Sequence, residues 1–256
     1  MRITIKIGTS TLTYSSGCVN IRRIESLCKV ISDMMNAGNE VILVSSGAIG
    51  MGVGKLNLPA RPSDIAGKQA CAAVGQCELM YTYDKIFSEY NRTVAQILLT
   101  APDLTCPDRH EKFESTLKRL LELKVLPIIN ENDTVATAEI EFGDNDTLAA
   151  EVAKAAGADL LVLLSDIDGL YTADPRKNKD ATLIPEVFEL DESIMALAGG
   201  AGSGLGTGGM ETKLRAARIA TEAGCDMIIT NGAYPERLYA ITDGVPVGTR
   251  FYAKKV

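Results

Sequence analysis

The stretch that decides the fold is MRITIKIGTSTLTYSSGCVNIRRIESLCKVISDMMNAGNEVILVS, residues 1–45. Its two ends, residues 3–7 and 40–45, are short runs rich in β-branched and apolar side chains, which predict strands. Between them, apolar side chains recur at helical spacing behind Asn20, a residue type that caps helices, and Gly38 follows as a stop signal. A strand, a helix and a second strand in this order predict a β-α-β unit.

The same alternation continues along the chain. Further strands are predicted at residues 93–99, 125–129, 159–164 and 226–230. This pattern predicts an α/β fold with a mainly parallel sheet and helices on both faces, in which ligands bind beyond the carboxyl ends of the strands. Two stretches depart from it. Residues 134–142 predict a small β-hairpin, and residues 198–209 contain seven glycines, which is typical of a mobile or ligand-wrapping loop.

Composition narrows the class of protein. The chain has 256 residues, 46% hydrophobic and 23% charged, which predicts one globular domain with at most two lobes. A net charge of −7 without any long basic cluster argues against a nucleic-acid partner. No apolar run reaches the ~20 residues that span a bilayer, and residues 1–6 alternate like a strand rather than like a signal peptide. We therefore expect a cytoplasmic protein with no membrane partner.

The cysteines and the histidine limit the available chemistry. The six cysteines form no CxxC pair, and most lie among apolar or helical neighbours. Buried reduced thiols are therefore expected rather than a zinc site or a disulfide framework. The one histidine, His110, lies in a polar stretch and is expected at the surface. This single histidine argues against catalysis by a histidine triad or a histidine-rich metal site.

Residues 203–213, SGLGTGGMETK, run directly into a strong helix pattern. Glycines let backbone N–H groups close on an anion, and the helix adds its positive N-terminal end, so the stretch predicts a phosphate site beside Lys213. It contains G-x-G-x-x-G, but no strand precedes it as a Rossmann dehydrogenase requires. A Walker A fragment at residues 50–56 lacks the Ser or Thr after Lys55, and the catalytic loop of a protein kinase is missing.

Polar clusters follow or adjoin several of the predicted strands. Each cluster alone is typical of a turn or a helix cap. Five clusters at one edge of a sheet indicate a binding site instead. They are Lys6-Ile7-Gly8-Thr9-Ser10, Ser45-Ser46-Gly47-Ala48, Asn130-Glu131-Asn132-Asp133, Gly143-Asp144-Asn145-Asp146 and Ser165-Asp166-Ile167-Asp168.

In order along the chain, these clusters resemble the amino acid kinase family, and the resemblance covers essentially the whole sequence. It extends to Asp168-Gly169-Leu170-Tyr171 and to the glycine-rich loop that ends at Lys213. The residues 130–133 and 143–146 are similar to the branch of the family that phosphorylates glutamate. The resemblance implies an αβα sandwich and ATP-dependent phosphorylation of the γ-carboxylate of L-glutamate to L-glutamyl 5-phosphate, the first step of proline biosynthesis. It also implies Mg²⁺, a homodimer or homotetramer, and proline as a feedback inhibitor.

Some members of that family continue into a C-terminal domain similar to RNA-modification modules. The present sequence, residues 1–256, is expected to comprise the kinase domain alone. Within it, the resemblance implies a glutamate-binding N-terminal part and a nucleotide-binding part from about residue 160.

The resemblance also implies roles for individual residues. Lys6 and Lys213 lie at the transferred phosphate, and Asp146 orients both lysines. The residues implied for glutamate are Ser46, Asp133 and Asn145, and no metal ligand is assigned. The residues implied for the nucleotide are Lys6, Ser165, Asp166, Thr207, Gly208, Gly209, Met210, Glu211, Thr212 and Lys213. The chemistry is consistent, because a carboxylate with a pKa of ~4.3 is deprotonated at neutral pH and needs no general base.

Two alternatives stay open. The chain could be another amino acid kinase, with acetylglutamate, aspartate or a nucleoside monophosphate as acceptor. A UMP kinase, however, would need basic residues where this chain has Ser46, Asp133 and Asn145. It could also be a non-catalytic nucleotide or proline sensor. Against the sensor, Lys6, Asp146 and Lys213 are all present, and a sensor does not need groups that act only in the transition state.

Overall fold

The fold is that of a computed structural model, which describes residues 1–14, 18–136, 145–197 and 209–254. Its strands are β1 (Arg2–Ile7), β2 (Glu40–Val44), β3 (Val94–Leu99), β4 (Leu126–Glu131), β5 (Leu160–Ser165), β6 (Leu170–Tyr171), β7 (Leu183–Ile184), β8 (Glu186–Val187), β9 (Asp226–Asn231) and β10 (Thr249–Phe251). Its helices are α1 (Thr9–Leu12), α2 (Ile21–Asn36), α3 (Ala48–Lys55), α4 (Ile65–Ser88), α5 (Ala101–Thr105), α6 (Pro107–Glu122), α7 (Asn145–Ala156), α8 (Glu192–Ala196), α9 (Met210–Glu222) and α10 (Arg237–Thr242).

The chain divides into two units. The first unit comprises Met1–Lys6 and Phe142–Val256, and the second unit comprises Ile7–Glu141. The strands β6 and β7 form an antiparallel pair. In the second unit the order is β3-β4-β2, with both pairings parallel. In the first unit the order is β1-β5-β9-β10-β8, with β10 antiparallel to β9. A mainly parallel central sheet with flanking helices confirms the predicted fold class.

The strands form where the sequence predicted them because they are apolar on both faces. Residues 41–44, 160–164 and 227–230 are buried throughout, as expected of strands in a parallel sheet that helices cover. All six strands predicted from the sequence are present, with ends that move by no more than two residues. The strands β6, β7, β8 and β10 were missed, because two or three residues are too few to show a periodic pattern.

Helix α2 confirms the start and stop signals read from the sequence. The Asn20 side chain accepts a hydrogen bond from the backbone N–H of Arg23 at 3.2 Å, which caps the helix. Gly38, two residues beyond its end, has a φ of +89°, a conformation that glycine adopts without strain. The β1-α2-β2 unit predicted from residues 1–45 is therefore present.

Helices α3 and α4 of the second unit pack with their backbones in close approach. A Cβ atom on Gly52 of α3 would lie 1.9 Å from the carbonyl oxygen of Cys71 in α4. One on Gly75 of α4 would lie 1.8 Å from the carbonyl oxygen of Ala48 in α3. Only glycine permits this contact. The position of α3 is thus set by α4, and α3 begins directly after Gly47.

The prediction for the cysteines was partly wrong. Cys28, Cys71 and Cys225 are buried, but Cys18, Cys77 and Cys106 are exposed. Cys77 lies on the outer face of α4, which sequence periodicity alone did not distinguish from the inner face. His110 is partly exposed and lies 3.1 Å from a carboxylate oxygen of Glu114, in agreement with the surface position expected for it.

The predicted hairpin at residues 134–142 and the glycine-rich loop at 198–209 fall mostly outside the described residues, so both stay predictions. Among the helices that the structure describes, none is long and apolar enough to cross a membrane.

Candidate active site

One buried carboxylate joins two buried lysines in the first unit. Lys6 lies near the end of β1, Asp146 is the second residue of α7, and Lys213 is the fourth residue of α9. Lys6 Nζ lies 2.6 Å from Asp146 Oδ1, and Lys213 Nζ lies 3.0 Å from Asp146 Oδ2. The side chains are 10%, 6% and 0% exposed for Lys6, Lys213 and Asp146. The structure thus brings together the three residues for which a catalytic role was predicted.

The electrostatics of this cluster favour an anion. Burial acts to raise the pKa of Asp146, but the charges of Lys6 and Lys213 and their hydrogen bonds outweigh it and lower that pKa to about 2. The carboxylate is therefore ionised at neutral pH. Two ammonium groups and one carboxylate carry a net charge of +1. A buried site with this charge is suited to binding phosphate oxygens.

The N-terminus of α9 adds to the same cluster. Gly209 precedes the helix in extended conformation, and Thr212 Oγ1 donates to the Gly209 carbonyl oxygen at 2.7 Å and lies 3.3 Å from Asp146 Oδ2. The helix directs the positive end of its dipole to this point. Of the other predicted nucleotide residues, Glu211 is exposed and pairs with Arg215. Thr207 and Gly208 lie outside the described residues.

Two further residues predicted for the nucleotide lie at the end of β5. Ser165 is buried, and its hydroxyl donates to Asp166 Oδ1 at 3.2 Å. Asp166 is exposed and pairs with Arg176 at 2.8 Å. Desolvation by neighbouring atoms acts to raise the pKa of Asp166, but the hydrogen bond and charge of Arg176 outweigh it and lower that pKa. Sequence reasoning missed Arg176, because a residue ten positions along a loop carries no periodic signal.

A second ion pair was also missed in the first unit. Arg237 Nη1 donates to Asp168 Oδ1 at 2.8 Å, and its guanidinium lies over the ring of Tyr234. Asp168 belongs to the motif that follows β5, whereas Arg237 begins α10 after β9. The parallel pairing of β5 with β9 brings these two segments to one edge. Only the strand order could have revealed this pair.

The glutamate residues predicted in the second unit follow two neighbouring strands. Ser46 comes two residues after β2, and Asp133 comes two residues after β4. These strands pair in parallel, with Val44 opposite Ile129, so both residues leave the sheet at the same edge. Gly47 then adopts a φ of +96°, and α3 begins at the next residue, Ala48. The third predicted residue, Asn145, begins α7 in the first unit, next to Asp146.

The sequence alone did not predict the side chains of α4 that form hydrogen bonds to these segments. Tyr83 of α4 contacts Ser45, and Gln76 of α4 contacts Asn130, both through hydrogen bonds between buried groups. One sequence feature could have revealed these two residues: a polar side chain recurs after seven positions, which places both on the same face of a helix. The sequence alone did not identify which face of α4 is buried.

Comparison with known proteins shows the family to which the chain belongs. Residues 1–231 match the profile of the amino acid kinase family. The chain is 54% identical to the glutamate 5-kinase of Clostridium perfringens (strain 13 / Type A) over 99% of this chain and 96% of that protein. It is 54% identical to the glutamate 5-kinase of Carboxydothermus hydrogenoformans over 99% of this chain and 68% of that protein. The chain is 52% identical to the glutamate 5-kinase of Listeria innocua, over 99% of this chain and 94% of that protein.

Solved structures share the fold. A UMP kinase from Bacillus anthracis superimposes with a TM-score of 0.67 at 16% identity, over 99% of this chain and 96% of the other. An isopentenyl phosphate kinase from T. acidophilum superimposes with a TM-score of 0.65 at 19% identity, over 98% of this chain and 100% of the other. At these identities the likeness concerns the fold alone. Because its residues match the family profile and these relatives are more than half identical to it, the chain belongs to the amino acid kinase family, and the three relatives named above are glutamate 5-kinases.

Proposed function

We propose that the chain catalyses transfer of the γ-phosphoryl group of ATP to the γ-carboxylate of L-glutamate, giving L-glutamyl 5-phosphate and ADP in the first step of proline biosynthesis. The observation that carries the proposal is the buried carboxylate of Asp146 with an ammonium group on each oxygen. The sequence identity of 51–54% to glutamate 5-kinases supports glutamate as the acceptor.

The reaction requires positioning and charge neutralisation rather than proton transfer. A glutamate carboxylate oxygen forms a bond to the γ-phosphorus while the bond from that phosphorus to the β,γ-bridging oxygen breaks. The attacking carboxylate is already ionised, so no side chain has to accept a proton. Negative charge on the transferred group and the leaving group increases the need for cations. Lys6 and Lys213 supply this charge, and Asp146 orients both.

The acceptor is assigned by the same reasoning. The α-ammonium group of glutamate needs a carboxylate, for which Asp133 is proposed, and its α-carboxylate needs hydroxyl or amide donors, for which Ser46 and Asn145 are proposed. We propose that Ser165, Asp166 and residues 207–213 bind the nucleotide. Aspartate and acetylglutamate remain competing acceptors that the experiment below distinguishes.

The remaining parts of the proposal concern Mg²⁺, assembly and location. Mg²⁺ typically binds through substrate phosphates and one or two carboxylates, and it would neutralise charge on the phosphates of ATP. The described residues contain no group of three or more His, Cys, Asp or Glu side chains arranged to hold a metal. We propose that Mg²⁺ enters with ATP, that the protein acts in the cytoplasm as a homodimer or homotetramer, and that it needs neither nucleic acid nor membrane.

The test traps the acyl phosphate with hydroxylamine. We expect hydroxamate from L-glutamate with MgATP and little from N-acetylglutamate, because Asp133 would face a neutral amide instead of an ammonium group. Aspartate completes the panel of carboxylate acceptors, and UMP is tested by the release of ADP because its phosphorylation gives no hydroxamate. Proline keeps the α-carboxylate and a cationic nitrogen, so it should raise the KM for glutamate without changing kcat. Equal turnover of glutamate and N-acetylglutamate would contradict the assignment of the acceptor.

Two variants make the test specific. Asp133→Ala should raise the KM for glutamate by 10-fold or more, since losing one member of a desolvated charge pair costs ~2 to 5 kcal/mol, and should leave the KM for ATP nearly unchanged. Asp33→Ala serves as the matched control, because Asp33 is exposed on α2 of the same unit. An Asp133→Ala variant with the glutamate KM of the unmodified chain would refute the role of Asp133.

A further inference from the structure

Helix α4 carries a row of three polar side chains on the face that packs inward. Gln69, Gln76 and Tyr83 are spaced seven residues apart, which places them on one side of an α-helix, two turns from one to the next. Each of the three makes a hydrogen bond either to the end of a strand of the second unit or to a segment that follows one. We call these three residues the polar row.

The first contact holds the segment after β2. Tyr83 and Ser45 are both fully buried, and their hydroxyl oxygens lie 3.0 Å apart. Ser45 is the residue between β2 and Ser46, and its hydroxyl also lies 3.4 Å from the Ser46 carbonyl oxygen. Burial raises the pKa of the Tyr83 phenol, so this group is a neutral hydroxyl at every physiological pH. The contact fixes the backbone one residue before Ser46.

The second contact holds the end of β4. Asn130 Nδ2 donates to Gln76 Oε1 at 2.9 Å, and both side chains are buried. The other end of the Asn130 amide, Oδ1, accepts from the backbone N–H of Glu131 at 3.0 Å. Gln76 therefore sets which way the Asn130 amide faces, and that amide sets the backbone that leads to Asp133. A buried amide pair of this kind is costly to break on one side only.

The third contact lies beyond Asp133. Gln69 Nε2 donates to the carbonyl oxygen of Ala136 at 3.3 Å. Residues 130–136 are thus held near both ends by one helix, with Asp133 between the two contacts. In addition, the Asn132 carbonyl oxygen accepts from the N–H groups of Val135 and Ala136, which closes the turn.

We propose that the polar row positions the acceptor-binding segments of the second unit: Tyr83 acts through Ser45 on Ser46, and Gln76 and Gln69 act on the segment that carries Asp133. None of the three is a catalytic residue, because each acts through another group. The proposal rests on the proposed function for the identity of the acceptor. Under this proposal, helix α4 controls the affinity for the acceptor. Its polar row contacts the acceptor-binding segments through their backbone or through side chains next to Ser46 and Asp133.

The test compares two pairs of isosteric variants. Tyr83→Phe removes one buried hydroxyl, and Tyr81→Phe makes the same change two residues away at an exposed position. Gln76→Met removes the buried amide, and Gln96→Met makes the same change at an exposed position of β3. We expect Tyr83→Phe and Gln76→Met each to raise the KM for glutamate about 3- to 10-fold, as the loss of a buried hydrogen bond predicts, with kcat and the KM for ATP within about twofold. The two controls should match the unmodified chain.

Hydrogen–deuterium exchange provides a readout that does not depend on turnover. Tyr83→Phe should speed exchange at residues 45–48, and Gln76→Met should do so at residues 130–136, with each variant leaving the other segment unchanged. Exchange that rises across the whole chain, or equal increases in KM for glutamate and ATP, would show that the polar row is ordinary core structure and would overturn the proposal. If the unmodified chain gives no hydroxamate from glutamate, the proposed function fails, and the exchange pattern still decides whether the polar row holds these segments.

Discussion

At the residue scale, the main question is how two lysines can be buried in one site. An ammonium group in the protein interior is unfavourable unless a charge partner and hydrogen bonds compensate. Asp146 provides that partner for both Lys6 and Lys213, with one carboxylate oxygen for each. A single buried acid therefore determines whether the cluster is stable and whether both cations point to the same place.

The lysine pair distinguishes a catalyst from a sensor. If Lys213 stabilises charge that develops during phosphoryl transfer, Lys213→Ala should lower kcat by ~10² to 10³ and change the KM for ATP much less. Lys6→Ala should lower kcat by a similar factor. In the double variant, kcat should fall by much less than the product of the two single factors, because both lysines act on one phosphoryl group. The exposed Lys154 of α7 offers the control Lys154→Ala.

The measurement is kcat and the KM for ATP for the two single variants, the double variant and the control, on protein whose folding has been checked by thermal melting. A Lys213→Ala variant that keeps its kcat and shows only a higher KM for ATP would make Lys213 a binding residue and would contradict the proposed mechanism.

At the scale of elements, helix α3 depends on its contact with α4. Gly52→Ala would place a Cβ 1.9 Å from the backbone oxygen of Cys71, so the helices must separate. We expect a loss of about 1 to 3 kcal/mol in the free energy of unfolding. In the same helix, the nearest atom to a Cβ on Gly50 is Thr9 Cγ2 at 3.6 Å, an ordinary contact. Gly50→Ala should therefore stabilise the chain by about 0.5 to 1 kcal/mol through helix propensity.

Urea unfolding of the two variants checks this prediction, and each one is the control for the other. Because α3 begins after Ser46 and Gly47, Gly52→Ala should also raise the KM for glutamate. If both variants had the same free energy of unfolding, the close contact between α3 and α4 would be disproved.

At the scale of the whole molecule, Asp146 links stability to pH. Its pKa is lowered from 3.8 to about 2 in the folded chain, so the unfolded chain binds the proton more readily. The stabilisation, about 2 kcal/mol, is therefore complete above pH ~4 and is lost as the pH falls towards 2. In Asp146→Asn this component of acid unfolding should be absent, and Asp33→Asn should retain it. Urea unfolding between pH 7 and pH 2 measures this component, and identical pH profiles for Asp146→Asn and the unmodified chain would refute the prediction.

Much of the architecture and of the site could be predicted from the sequence. Apolar runs that are buried on both faces mark strands wherever they occur, so the six longer strands and the parallel class followed from local pattern alone. The same holds for α2, whose cap and stop residues act within a few positions. The candidate residues Lys6, Asp146 and Lys213 could be named because polar groups that follow strands collect at one edge of a parallel sheet, and because their motifs resemble a known family.

The tertiary structure alone decided which groups meet. Asp146 and Lys213 are 67 positions apart, and their contact depends on how α7 and α9 pack. The Asp168–Arg237 pair depends on strand order, the close approach of α3 and α4 depends on which glycines face each other, and the burial of Tyr83 depends on which side of α4 packs inward. Helix and strand patterns are encoded by neighbours a few residues apart, whereas these contacts join residues distant in sequence. Local pattern therefore determined the elements and the candidate residues, and long-range packing determined the geometry that makes them a site.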